Sequence, residues 1–132
     1  MIEVVPDSIE TLPSIDDRRL TSTPTREALG EQTLVGEIVD SKCYLGVMNP
    51  GEMKPHRDCA VRCLSGGVPP LFIVKNGAGE SSLLWLVGVD GQAIGREVLD
   101  KVAEPIEIKG EVRRDGDQLF LQAEPSTFRR LP

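Results

Sequence analysis

Every thiol and the only imidazole of this chain fall between Cys43 and Cys63. The four residues are Cys43, His56, Cys59 and Cys63. Thiolate and imidazole are the soft and borderline donors that a transition metal prefers. Their collection in one short segment constrains the fold. The chain must double back there, so that Cys43 meets the residues that follow it.

The spacing shows how that happens. His56, Cys59 and Cys63 stand at i, i+3 and i+7, within about 60° of one helical face at 3.6 residues per turn. Pro55 suits the first turn of such a helix, where a missing N–H costs nothing. Gly66-Gly67 supplies the stop, and Pro69-Pro70 forbids continuation. We therefore expect a helix from Pro55 to Ser65 with three donors on one side. Asn49-Pro50-Gly51 reads as the turn before it. Cys43, at the end of a strand-like run, would complete a tetrahedral Cys₃His site for one ion.

Two other readings stay open. A disulfide from Cys43 to Cys59 or Cys63 would leave one odd thiol, and Cys59 to Cys63 within one helix would be strained. Alternatively, the cysteines are small core hydrophobes. Lys42, Lys54, Arg57 and Arg62 surround the thiols. They would favour thiolate, unless they are solvated surface charges. The spacing matches no standard zinc finger, no Cys-x-x-Cys dithiol and no haem-attachment motif.

The rest of the chain reads as mainly β. Thr33 to Asp40 forms a first strand, with Gly36 at a bulge or a close approach. The Cys/His insertion occupies residues 41–69. Pro70 to Lys75 and Ser82 to Gly88 are the second and third strands. A short amphipathic helix follows from Ala93 to Lys101, with Ile94, Val98 and Leu99 on one side. Pro105 to Arg113 and Gln118 to Glu124 are the fourth and fifth strands, joined by an Asp115-Gly116-Asp117 turn. Three strands, a helix and two strands are the element order of an OB-like barrel. Closure would remove the edges that five short strands otherwise expose.

Residues 1–32 have a different texture, rich in Pro, Thr, Ser and acids. They are expected to form an extended arm or linker ahead of an OB-like domain at 33–132. Ile2 to Val5 could add an edge strand, Ser14 to Arg26 reads as extended loop, and Glu27-Ala28-Leu29 could form one turn. No run is long and apolar enough to span a membrane, and residues 1–7 do not read as a signal peptide. Taken alone, these features describe an intracellular protein or a chain that has lost a targeting segment.

The net charge of −6 argues against nucleic acid as a partner, since its binders carry a basic face. Trp85, Phe72 and Phe120 would be the stacking residues of an OB-type ligand binder, but they sit in the most apolar strands and read better as core. Hydrolysis finds no nucleophile elbow and no phosphate loop. The carboxylates Asp16-Asp17 lie in the polar arm.

One wider pattern emerges. It runs Gly36-x-x-x-Asp40-x-x-Cys43, then His56-x-x-Cys59-Ala60-x-x-Cys63-x-x-Gly66, then an apolar strand and Glu104-Pro105-Ile106-Glu107-Ile108-Lys109-Gly110. This resembles a family of small, uncharacterised bacterial domains, mostly exported or membrane-anchored, over Thr33 to Glu124. The resemblance implies an extracytoplasmic location and a removed N-terminal anchor, and it brings no activity. The Cys43–His56 loop is longer here and carries Met48 and Met53, whose thioethers keep copper in play. Asp40 reads as an acceptor for a ligand N–H or as an ordinary turn residue.

The sequence thus points to a non-enzymatic metal-binding module with protein partners. Zinc is favoured over copper or an iron–sulfur centre. A thiol redox or electron-transfer protein using Cys43, Cys59 and Cys63 is the alternative.

Overall fold

A computed structural model describes residues 26–46 and 48–132. The expected edge strand at Ile2 to Val5, nearly all of the Ser14 to Arg26 loop and the Asp16-Asp17 pair lie outside these residues. The described elements are β1 (Glu27–Asp40), α1 (Ser41–Leu45), α2 (Met53–Ser65), β2 (Pro70–Lys75), β3 (Ser81–Val87), β4 (Ile106–Asp115), β5 (Gln118–Gln122) and β6 (Arg129–Arg130). Short 3₁₀ helices at Arg96–Lys101 and Pro125–Thr127 complete them.

The barrel closes because β1 serves two neighbours. Glu27 to Gly36 pairs antiparallel with β4, and Glu37 to Asp40 pairs antiparallel with β2. β2 then pairs with β3, β3 runs parallel to β5, and β5 returns antiparallel to β4. The ring β1-β2-β3-β5-β4 is a closed, five-stranded OB-like barrel. β6 extends β4 at Ile106 and Glu107.

Gly36 stands where β1 passes from one partner to the other. A Cβ there would lie 2.1 Å from the Ile73 carbonyl oxygen and 2.9 Å from the Phe72 ring. The expected close approach is therefore real, and no side chain fits it. β1 also begins earlier than expected. Glu27 and Ala28 pair with β4 instead of forming a turn, and the register shifts between Ala28 and Gly30.

Alternation decides what each strand buries. Ile38, Phe72, Leu84, Leu86, Ile106, Ile108, Val112 and Leu121 face inward. On the outer face, Val39, Leu71 and Ile73 form a smaller cluster with Tyr44, Leu83 and Trp85. Phe72 is fully buried and Phe120 nearly so, while Trp85 packs against the outer cluster. The expected helix after β3 is shorter than anticipated: Ala93 bridges to Val87, and only Arg96–Lys101 turns. Val98 is nevertheless buried, and Ile94 and Leu99 pack on the core.

The insertion seats on this barrel through α2. Ala60 and Leu64, each 1% exposed, join the main core beside Val98 and Val102. Arg57 donates to Glu104 at 2.8 Å and to the Asp100 carbonyl at 3.2 Å, which ties the helix to the segment that joins β3 to β4. Asp100 and Glu104 thus account for one of the expected thiol-side cations. Lys54 and Arg62 are exposed.

Candidate metal centre

Asp40 is the hinge of the site. It ends β1, is completely buried, and caps α1 by accepting from the Cys43 N–H at 2.8 Å. A carboxylate at this position satisfies one of the N–H groups that a helix start leaves without a partner. Its other oxygen lies 2.9 Å from His56 Nε2. His56 sits in the first turn of α2 and is 3% exposed. One buried carboxylate therefore joins the end of β1, the start of α1 and the start of α2.

Burial alone would push the Asp40 carboxyl up. Hydrogen bonds from the Cys43 N–H, from His56 and from the Cys43 thiol outweigh it and hold the carboxyl below its ordinary value. Asp40 is thus the anionic partner of the buried pair. The signal for it was present in the Asp-x-x-Cys spacing, but only the fold shows that it meets the His56 imidazole.

The three thiols come together above this hinge. Cys43 Sγ lies 3.8 Å from Cys59 Sγ and 3.9 Å from Cys63 Sγ. Cys59 and Cys63 are one helical turn apart on α2, and Cys43 reaches them from α1. The cysteines are free, with Cys43 buried and the other two partly exposed. A disulfide needs its sulfurs about 2.05 Å apart. A metal ion bound by thiolates at about 2.3 Å places tetrahedral sulfurs about 3.8 Å apart. The observed spacing is compatible with metal ligands and with hydrogen-bonded thiols, and it excludes a formed disulfide.

The four donors singled out in the sequence, together with Asp40, fall into two overlapping groups. Cys43, Cys59 and Cys63 form one, and Asp40, Cys43 and His56 form the other, each with its ligand atoms within 4.8 Å of one another. Cys43 belongs to both. The helix explains the division. His56 and Cys63 share a face, but seven residues of rise separate them by about 10.5 Å. Met48 and Met53 are both exposed, at 45% and 49%.

The thiols do not behave as the nearby cations suggested. Burial, with the neighbouring Asp40 carboxylate and thiols, pushes Cys43 up to about 12. Cys63 is raised as well, by burial and by Asp40, although Lys42 pulls the other way. A low dielectric and a fixed negative charge both penalise the thiolate. Without a cation beside them Cys43 and Cys63 hold their protons, and a metal ion is the partner that would make thiolates of them.

No family model, no curated protein and no solved structure matches this chain. No described helix is long and apolar enough to cross a membrane.

Proposed function

We propose that this protein is a non-enzymatic metal-binding module in which Cys43, Cys59 and Cys63 hold one zinc ion on an OB-like barrel. The observation that carries the proposal is the 3.8 and 3.9 Å spacing of free sulfurs converging from two helices. Zinc is favoured because it accepts thiolates without redox chemistry and tolerates a site built on rigid helices. The bound ion would pin α1 and α2 together and so shape the surface of the insertion for a protein partner. The likeness of the Asp-x-x-Cys and His-x-x-Cys-Ala-x-x-Cys pattern to exported bacterial domains supports an extracytoplasmic, membrane-attached setting.

The thiol redox alternative gains nothing from the raised Cys43 and Cys63, because a reactive cysteine needs a depressed pKa. One experiment separates the two readings. The full chain is purified without chelator, and its metal content and free thiols are counted on the same sample. About one equivalent of zinc, with thiols that react only after chelation, supports the metal site. No metal and a single free thiol refutes it in favour of a disulfide.

A further inference from the structure

Asp40, Cys43 and His56 form a donor group of their own, and each of them is buried. A carboxylate, a thiolate and an imidazole are all zinc ligands. His56 Nε2 and Asp40 Oδ2 stand 2.9 Å apart, against about 3.3 Å for tetrahedral nitrogen and oxygen ligands on one zinc ion. A single ion with a Cys₃His set would have to draw His56 off Asp40, because His56 does not group with Cys59 and Cys63. Two ions leave every donor close to where it stands. Resting on the metal reading above, we propose that the centre holds a second divalent ion at Asp40, Cys43 and His56, and that Cys43 Sγ bridges the two ions.

Cys43 stands where a bridge must stand. Its sulfur lies 3.8 Å from Cys59 Sγ and 3.9 Å from Cys63 Sγ, and within 4.8 Å of ligand atoms on Asp40 and His56. It is the one residue common to both groups. A thiolate is a soft donor with lone pairs enough for two ions. Asp40 holds the Cys43 N–H through Oδ1, so Oδ2 is the oxygen that turns from accepting to ligating. His56 then binds through Nε2 and carries its proton on Nδ1. Three thiolates and one carboxylate bring four negative charges, which two divalent ions match in a buried setting. The first ion joins α1 to α2, and the second ties the end of β1 into the same cluster.

The test is zinc titration of the full chain, with metal analysis after gel filtration and X-ray absorption at the zinc edge. About two equivalents of zinc should stay with the protein. The average shell should fall from about three sulfurs per ion at one equivalent to about two at two equivalents, as a shared Cys43 requires. Imidazole and zinc–zinc scattering should appear with the second equivalent. His56→Gln should retain only the first equivalent, with its three-sulfur shell. The wild-type data decide the matter even if that variant does not fold. Saturation at one equivalent overturns the proposal, whether or not imidazole is in the shell. Two equivalents without zinc–zinc scattering overturn it too, since the second ion then lies elsewhere, as does a second equivalent that survives in His56→Gln. A protein that binds no zinc at all overturns the metal reading itself and this one with it, an outcome distinct from each of the others.

Discussion

Replacing Cys59 by serine isolates the contribution of one sulfur. Cys59 is partly exposed and lies outside both apolar clusters, so its loss removes a ligand and little packing. Structural zinc sites bind with about 10–16 kcal/mol of apparent free energy at neutral pH. Shared among three thiolates, the lower end of that range gives about 3 kcal/mol to each sulfur. At 1.4 kcal/mol per tenfold, Cys59→Ser should weaken zinc binding about 100-fold. The same change has a thermal signature. Zinc at about 1,000 times its Kd stabilises the fold by about 4 kcal/mol. A 100-fold loss leaves about 1.4 kcal/mol. For a domain of this size, at about 4 °C per kcal/mol, the zinc-induced rise in Tm should shrink from about 15 °C to about 5 °C. Competition against a chromophoric chelator gives the affinity, and thermal melts with and without zinc give the second number. The reasoning fails if the variant binds zinc as tightly as the parent. It also fails if its metal-free Tm has already dropped by the full difference, since the sulfur would then be acting through packing.

Leu64→Ala should cost about 3 kcal/mol in urea unfolding, because Leu64 is 1% exposed in the barrel core and Ala leaves a cavity. It should also weaken zinc binding, as α2 carries two of the sulfurs. Gly36→Ala should fail to give a soluble, cooperatively melting protein, or melt far below the parent, because its Cβ would collide with the Ile73 carbonyl. Zinc affinity should rise about 100-fold per pH unit around neutrality, since at least Cys43 and Cys63 release protons on binding, and proton release in weakly buffered solution checks it. The Asp40 carboxyl titrates below its ordinary value in the folded protein, so its contribution is present above about pH 4 and is lost as pH falls through the folded pKa. Acid unfolding of the metal-free protein should therefore be shallower in Asp40→Asn, and an unchanged acid profile would show that the Asp40–His56 pair carries no net stabilisation.

Much of this molecule is legible in its sequence, for reasons that are local. The helix of the insertion is written in Pro55, in the donors at i, i+3 and i+7, and in the Gly66-Gly67 stop, all of which act within a turn or two. The strands follow from alternation and from the turns that separate them, and their order suffices to suggest the barrel. Gly36 announces itself because a glycine inside an apolar strand has few other reasons to be there. What the tertiary structure decided is everything that depends on distant backbone. The length of β1 comes from its pairing with β4, where Glu27, Ala28 and Gly30 meet Arg114, Arg113 and Val112, distant partners that no propensity in Glu27 to Gly30 foretells. The raised thiols come from burial and from Asp40, which outweigh cations that look closer in the sequence. The partition of the four donors is the clearest case. An angular projection puts His56 with the cysteines, because it discards the rise along the helix axis. The fold restores that dimension, bringing Cys43 against Cys59 and Cys63 and setting His56 against a buried Asp40 at the end of β1. The residue types determined which donors gather in the insertion; their placement in three dimensions determined which of them lie within 4.8 Å of one another.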